Sequence, residues 1–328
     1  MTAAPYPLLL TPRLYRRLWG GELLADWFGS ATVSGPEHEP VGEAWLMDGA
    51  SVIANGASRG LTLDEVAAKW GAQLLGEEVH ARYGAKVPLL AKFLDAAADL
   101  SVQVHPDDAY ALREHPGSGH LGKAEAWYLL EAAPGAEVLW GFQRAVTPAE
   151  VRRAVADGTI TGLMRHLPVA PGSVVVNPAG TVHAVGAGCM LFEIQQASDL
   201  TYRLFDYGRL GGDGQPRTLH LDRALDVADL RGWPPPPPQR TVLPDGWTRI
   251  VAQAEFTLDR LALAGGAWRS AVDGRSFQVL VVIEGALELR SAGGDVALPV
   301  GTTAFLPAAL GEYELSGRGA ILRSAVGS

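Results

Sequence analysis

Two polar side chains alternate with valines in the apolar segment 100–105. Gln103 and His105 lie two residues apart, so on a β-strand both point to one face while Val102 and Val104 point to the other. Polar groups on the inner face of a strand need partners, because an unpaired buried polar atom costs free energy. This face is therefore a candidate for coordination or catalysis.

A second pair of polar side chains repeats that spacing, and a further histidine follows a turn. Lys123 and Glu125 are again two residues apart, and His183 follows a Pro-Ala-Gly turn. Together with Gln103 and His105 they offer two imidazoles, one carboxylate and one amide oxygen. A borderline cation such as Zn²⁺ accepts this mixture and keeps positions open for a substrate oxygen.

Spacing alone leaves a structural role open for each of these side chains. A histidine beside a strand is more often a core or surface residue than a ligand, and a lysine is more often solvated. The remaining histidines have no comparable setting and are expected to be structural: His38, His80, His115, His120, His166 and His220.

Short apolar or alternating runs, separated by glycine and proline, predict strands and turns through most of the chain. The predicted strands cover 87–94, 100–104, 126–131, 173–176, 190–194 and 278–284. Helices are predicted over 62–75, 106–114 and 147–156. Two of them start with a threonine three residues before a glutamate, Thr62 with Glu65 and Thr147 with Glu150, which predicts capping boxes. Many short strands and few helices favour an all-β barrel or sandwich core.

Length and a proline run predict two domains. The chain has 328 residues, and the run 234–238 can continue neither a helix nor a central strand. Segment 171–179 resembles segment 300–308, as expected for two copies of one β-barrel, although chance similarity between glycine-proline-punctuated strands would look the same. We expect a first domain over 1–235 and a second over 240–328.

The internal repeat also predicts which copy holds a metal. Gln278 aligns with Glu125, and Glu312 aligns with His183, while the second copy has no counterpart of the Gln103–His105 pair. The C-terminal barrel is therefore expected to lack metal ligands and to form one wall of a cleft.

Bulk composition limits the classes of partner. The formal net charge is −9, which disfavours nucleic acid because a phosphate backbone needs a basic face. Cys189 is the only cysteine and is expected to be buried, so no disulfide argues for secretion. No segment reaches the ~20 apolar residues that a bilayer span needs. We expect a soluble, cytoplasmic protein, a monomer by default with a dimer as the alternative.

Several longer motifs are similar to those of a known family. They are 100–108 (LSVQVHPDD), 122–128 (GKAEAWY), 178–184 (PAGTVHA) and 193–203 (EIQQASDLTYR), with shorter blocks at 18–21, 42–45 and 87–94. In this order they resemble the signatures of type I phosphomannose isomerases of the short bacterial kind, from about residue 7 to about residue 210.

The resemblance implies a mainly β fold, a cupin (jelly-roll) barrel with small helical insertions plus a second, cupin-like β-barrel. It implies a zinc-dependent isomerase that interconverts mannose 6-phosphate and fructose 6-phosphate through a cis-enediol. The metal ligands it implies, for one Zn²⁺ per chain, are Gln103, His105, Glu125 and His183.

The resemblance also assigns roles around the metal. Arg203 stands at the position of the family's active-site arginine, to bind the phosphate or to stabilise the enediolate, and Ser101 matches a serine associated with the phosphate. Glu193 lies in a matching motif and is the candidate general base, with a buried, hydrogen-bonded structural carboxylate as the alternative. Lys123 shares a strand face with Glu125, so it would hold a substrate hydroxyl or act in proton transfer. Aromatic and acidic residues of the N-terminal blocks would line the sugar pocket: Trp19, Glu43 and Trp45.

Three alternatives compete with this reading. A cupin isomerase acting on free mannose or a related sugar needs only a changed phosphate pocket. A non-catalytic sugar-phosphate-binding cupin would keep the pocket and lose a catalytic group. An iron-dependent cupin dioxygenase usually needs more histidine ligands than the two that this chain offers.

Overall fold

β-Strands dominate the computed structural model, which describes residues 5–29, 33–211, 214–236 and 240–327. The strands are β1 (Leu8–Leu9), β2 (Arg13–Gly21), β3 (Val33–Ser34), β4 (Val41–Met47), β5 (Leu89–Ala96), β6 (Val102–Val104), β7 (Glu125–Ala132), β8 (Glu137–Phe142), β9 (Met164–Pro168), β10 (Val174–Asn177), β11 (His183–Val185), β12 (Cys189–Gln196), β13 (Tyr202–Phe205), β14 (Thr241–Val242), β15 (Thr248–Ala252), β16 (Phe256–Ala271), β17 (Gln278–Ser291), β18 (Val296–Pro299), β19 (Thr303–Leu306) and β20 (Glu312–Val326).

The helices are short and lie between the strands. They are α1 (Leu23–Phe28), α2 (Leu63–Trp70), α3 (Ala72–Leu75), α4 (Glu77–Tyr83), α5 (Asp108–Glu114), α6 (Pro148–Ala156) and α7 (Leu221–Val227), with 3₁₀ turns at Ile160–Leu163 and Ala308–Leu310. No helix in the described residues is long and apolar enough to cross a membrane.

The described strands form three sheets, and the prediction of a mainly β protein is confirmed. The first sheet has the order β10-β7-β12-β5-β4-β2-β3, and the second has the order β13-β6-β11-β8-β9. The third sheet has the order β1-β19-β17-β20-β16-β15-β14, with β18 paired to β17.

The two predicted capping boxes are confirmed, one predicted helix is interrupted, and one starts late. Thr62 and Thr147 each accept a hydrogen bond from the backbone N–H of the glutamate three residues later, completing both capping boxes. The segment predicted as one helix over 62–75 divides at Gly71, where φ is 52° and α2 ends. The predicted helix 106–114 begins two residues late, at α5, because Asp107 caps it.

The six predicted strands all overlap observed strands, with shifted ends. The largest difference is at β17, which was expected to end at 284 and continues to Ser291. The two residues Pro237 and Pro238 of the predicted proline run lie outside the described residues.

The first strand belongs to the third sheet rather than to the sheets that follow it in the chain. In β1, Leu8 is paired with Phe305 and Leu9 with Ala304 of β19. Leu8 and Phe305 are fully buried in one hydrophobic cluster that also contains Phe93 of the first sheet. The first and third sheets therefore share a core.

The alternation predicted for the polar pair on β6 sets up the site. Val102 and Val104 are fully buried in a hydrophobic cluster beneath the second sheet, together with Val151 of α6 and Ala224 of α7. The apolar face of β6 packs on helices. Gln103, and His105 just after the strand, therefore point from the other face toward the first sheet.

Candidate metal centre and active-site cavity

Antiparallel register aligns three polar residues across the second sheet. Gln103 on β6 is paired with His183 on β11 and with Arg203 on β13. Directly paired residues project from the same face of a sheet, so these three side chains form one row. β13 is the edge strand of this sheet, which puts Arg203 at the outer end of the row.

Glu125 of the first sheet meets the two histidines across the space between the sheets. Its Oε1 lies 3.1 Å from His183 Nε2, and its Oε2 lies 3.4 Å from His105 Nε2. All three side chains are about 1% exposed. Their ligating atoms lie within 4.8 Å of one another, a compact set for one cation.

The hydrogen bonds of the two imidazoles show which nitrogens are free to bind a metal. Nδ1 of His105 lies 2.9 Å from the Leu200 carbonyl oxygen, and Nδ1 of His183 lies 2.8 Å from the Thr181 carbonyl oxygen. A carbonyl only accepts, so each Nδ1 carries the proton and each Nε2 presents a lone pair to Glu125. Burial and the Lys123 ammonium lower the pKa of His105 to about 3, which keeps this ring neutral.

The two Nε2 lone pairs and the Glu125 carboxylate converge on one small space, so the donor set fits a metal ion. Backbone carbonyls that fix the far nitrogen are the usual support of metal-binding histidines. Burial alone would raise the pKa of Glu125, but the Lys123 ammonium holds it well below the usual range, so the carboxylate stays ionised.

Lys123 stands beside this cluster. Its Nζ lies 3.0 Å from His105 Nε2 and 2.5 Å from Glu125 Oε2, and the residue is 4% exposed. The ammonium supplies a positive charge next to the acceptors, and it reaches the site from the residues just before β7.

Gln103 presents its amide toward the same cluster. Its Nε2 lies 3.4 Å from His183 Nε2, and its Oε1 accepts a hydrogen bond of 3.4 Å from Ser101 Oγ. Rotation of the amide about its last side-chain torsion exchanges the two ends, and in the rotated form the oxygen faces the histidines. In that orientation the amide oxygen faces the same space as the Nε2 atoms of the two histidines.

A cavity of about 460 Å³ opens beside the cluster. It has the size of a small-ligand site. Seven of the residues expected to bind or transform a substrate line it, together with the expected ligand Gln103: Trp19, Glu43, Trp45, Ser101, Lys123, Glu193 and Arg203. The wall also includes residues to which no role was assigned in advance: Arg17, Lys92, Leu94, Leu100, Trp127, Val185, Asp199, Thr201, Arg217 and His220.

Glu193 is held by two neighbours on the adjacent strands. Trp127 Nε1 donates to its Oε2 at 2.9 Å, and Lys92 Nζ lies 3.1 Å from its Oε1. Burial works against the charge of Lys92, but Glu193, Glu43 and Glu125 raise the pKa of this ammonium. Lys92 therefore stays protonated and keeps Glu193 within reach of the cavity as a charged pair.

Both oxygens of Glu43 are engaged by protein groups. Arg17 donates to Oε1 at 3.0 Å and to Oε2 at 3.1 Å, and Trp45 Nε1 donates to Oε2 at 2.7 Å. Burial would raise the pKa of Glu43, but Lys92 and Arg17 lower it to about 2. Glu43 thus lines the cavity as the anchor of Arg17 and Trp45.

The guanidinium of Arg203 lacks a carboxylate partner within the described part of the chain. Its Nη1 donates to the Thr218 carbonyl at 3.1 Å, and its Nε is buried without a hydrogen-bond partner. Arg217, by contrast, is clamped by Asp206, with its Nε 2.6 Å and its Nη2 2.5 Å from the two carboxylate oxygens. Two cations therefore face the cavity at the edge of the second sheet, one of them unneutralised.

Comparison with known proteins gives a consistent family. Residues 8–124 match the model of the phosphomannose isomerase type I catalytic domain, and residues 247–326 match the mannose-6-phosphate isomerase cupin domain. The chain is 37% identical to mannose-6-phosphate isomerase ManA of Bacillus subtilis, over 95% of this chain and 96% of that protein. The chain belongs to the type I phosphomannose isomerase family.

Further relatives agree with this membership. Mannose-6-phosphate isomerase of Streptococcus mutans is 40% identical over 68% of each chain. The crystal structure of the mannose 6-phosphate isomerase from Bacillus subtilis has a TM-score of 0.84 at 31% identity, and covers 97% of this chain and 99% of that one. The short-form type I phosphomannose isomerase resemblance is thereby confirmed, and the mainly β fold includes a cupin domain.

Three residues of this phosphomannose isomerase family member were missed by sequence reasoning. Lys92 is the one charged residue between Leu89 and Phe93 in an apolar strand, which is a usable signal, because a buried charge needs a partner. Arg217 gave none, since it lies in a polar, glycine-rich loop. His220, expected to be structural, lines the cavity beside Arg203.

Proposed function

We propose that this chain interconverts mannose 6-phosphate and fructose 6-phosphate through a cis-enediol, with one Zn²⁺ per chain. The activity is that of the relatives named above. The observation that carries it is the buried cluster of His105, Glu125 and His183, whose lone pairs converge beside a cavity with unneutralised positive charge at its far end. Such a site can polarise a carbonyl or hydroxyl at one end and hold an anion at the other.

The proposed ligands are the two histidines, Glu125 and Gln103 through its amide oxygen. Zinc suits this set, because imidazole nitrogen and carboxylate oxygen are its ordinary partners. When bound, the ion supplies Lewis-acid stabilisation of the substrate oxygens as charge develops on them. Since Glu125 is the single anionic member of the proposed set, about one net positive charge is left for that purpose.

The phosphate is proposed to lie at the edge of the second sheet. Arg203 offers a planar fork of donors without a protein carboxylate, and Arg217 lies on the same wall. Ser101, which is 4% exposed, adds a hydroxyl on the path from this end toward Gln103. In an open-chain hexose phosphate, C1 and C2 lie at the opposite end from the phosphate, so the reacting carbons would face the metal ligands.

Glu193 is proposed to move the proton between C2 and C1. A base and later an acid is needed at one face of the enediol, and a carboxylate can serve as both. Trp127 and Lys92 hold this carboxylate in one position. Lys123 is proposed to donate to a substrate hydroxyl, because its ammonium lies beside Glu125 at the cavity wall.

The proposal includes a division of the chain into two domains. Residues 1–235 would form the catalytic metal-binding cupin domain with its small helical part, and residues 240–328 a second jelly-roll barrel without metal ligands. In support, the third sheet carries a buried arginine on β20, Arg323. Its guanidinium is paired with Asp259 at 2.8 Å and with Asp245 at 2.8 Å. These two carboxylates are paired with a buried guanidinium rather than left free to bind a cation.

We further propose a monomeric, cytoplasmic enzyme. A phosphorylated sugar is charged and stays in the compartment where it is made, so an enzyme for it works there. Gel filtration with light scattering tests the monomer, and a dimer is the contrary result.

The test of the reaction follows turnover of mannose 6-phosphate with coupled detection of fructose 6-phosphate. It compares the purified protein, the chelated protein and the zinc-restored protein, with His183→Ala and the matched surface variant His166→Ala. Activity lost on chelation, restored by zinc, absent in His183→Ala and retained in His166→Ala supports the proposal. Turnover of free mannose alone, or sugar-phosphate binding without proton exchange at C2, contradicts it and favours the corresponding alternative.

A further inference from the structure

His220 lies on the cavity wall next to the arginine that has no carboxylate partner. It is half-buried, and it directly precedes α7. Nothing in its sequence setting marks it, because it follows the polar loop that contains Arg217. Its position depends on contacts with a residue that is distant in the chain.

Two hydrogen bonds lock His220 to Arg203. The backbone N–H of His220 donates to the Arg203 carbonyl at 2.7 Å, and the backbone N–H of Arg203 donates to His220 Nδ1 at 3.2 Å. A backbone N–H can only donate, so Nδ1 is the acceptor and the ring proton of the neutral imidazole is on Nε2. The tautomer is thus fixed by the fold.

The Nε2–H of this ring has no acceptor among the residues that the structure describes. Burial and the charges of Arg203 and Arg223 lower the pKa of His220, which keeps the ring neutral. The result is one neutral donor, held in a fixed orientation, beside the unneutralised guanidinium of Arg203 and close along the wall to Arg217. Three donors around one space suit an oxyanion with several oxygens, such as a phosphate monoester.

We propose that His220 is a specificity-determining residue, which donates its Nε2–H to a phosphate oxygen of the sugar phosphate held by Arg203 and Arg217. The inference rests on the proposed function. A donor that is neutral adds recognition without adding a third positive charge to the cluster, whose members already repel each other. An unphosphorylated sugar would leave this donor unpaired, and an unpaired polar group disfavours the wrong ligand.

The test compares His220→Asn with His220→Gln and with His115→Asn. The oxygen of asparagine stands where Nδ1 stands and keeps an acceptor for Arg203, but asparagine has no donor at the Nε2 position. The amide nitrogen of glutamine reaches that position. His115 is the matched control, because its Nε2 contacts Tyr202 at 2.8 Å and it does not line the cavity.

The readouts are the inhibition constant of inorganic phosphate, the KM for mannose 6-phosphate, and the ratio of kcat/KM for mannose 6-phosphate to that for mannose. Loss of one hydrogen bond to a charged group predicts an inhibition constant for phosphate raised about tenfold to a hundredfold in His220→Asn, with the specificity ratio lowered to match. His220→Gln recovers part of both, and His115→Asn leaves them unchanged.

Two results overturn the inference. One is a His220→Asn protein that binds phosphate and discriminates between the two sugars as the wild type does. The other is loss of zinc and of cooperative unfolding in both His220 variants, which would make the residue a structural lock only. Failure of the proposed function is distinguished from both, since it appears as absent turnover in the wild-type protein itself.

Discussion

Replacing Glu43 by glutamine tests whether a buried, ion-paired carboxylate holds one wall of the cavity. Glu43 is 8% exposed, and Lys92 and Arg17 lower its pKa from 4.5 to about 2 against the effect of burial. A group whose folded pKa is depressed stabilises the fold above its unfolded pKa and loses this effect as the pH falls toward its folded pKa. The difference between the two values corresponds to about 3 kcal/mol, of which about 2 kcal/mol is lost between pH 6 and pH 3.

The assay is urea unfolding of chelated wild-type protein and chelated Glu43→Gln at pH 6 and pH 3, so that metal release does not contribute. The free-energy gap between the two proteins is expected to shrink by about 2 kcal/mol on acidification. Glu37→Gln, at an exposed position, is the control and should show no such change. A gap for Glu43→Gln that is independent of pH would refute the reasoning, because it would mean that the carboxylate gains nothing from Lys92 and Arg17.

Three further predictions follow from contacts in and near the site. His183→Ala should lower zinc affinity by a factor of ten or more, because it removes a ligand of the cluster, and retained stoichiometric zinc after dialysis would contradict this. Asp206→Asn should raise the KM for mannose 6-phosphate more than it lowers kcat, because Asp206 clamps Arg217 at 2.6 and 2.5 Å; an unchanged KM would count against a phosphate role for Arg217. Thr147→Ala should lower the free energy of unfolding in urea by about 1 kcal/mol, because it removes the cap of α6. Thr147→Ser keeps a capping hydroxyl and should retain most of that stability. Equal losses in the two variants would exclude the cap as the cause.

The candidate ligands were predictable because strand alternation is a strong local rule. Val102 and Val104 had to be buried, so Gln103 had to point the other way, and the structure pairs it with His183. Arg217 and His220 were not predictable in this way. His220 is held by a hydrogen bond with Arg203 of β13, and Arg217 by Asp206, the residue that follows β13; no local pattern encodes such contacts.

The length of β17 was underestimated for a specific reason. Gly285 has φ of 71° and reads as a turn, but in the structure it lies within β17, next to the register shift between Val282 and Glu284. A glycine within a strand often marks a bulge, which changes the twist without ending the pairing. Gly265 and Gly266 of β16 also have positive φ and mark a bulge within a strand, because the register shifts between Ala264 and Ala267.

The pairing of β1 with β19 has a consequence for how the protein is made. Leu8 leaves the ribosome well before its partner Phe305, which lies about 300 residues later in the chain. At bacterial and eukaryotic elongation rates the interval is about 15 to 60 s. During that time the apolar segment around Leu8 has no sheet to join, and the core that it shares with Phe93 is incomplete. The first sheet cannot complete its shared core until β19 has been made, and for that interval the nascent chain presents an apolar segment that a chaperone can bind.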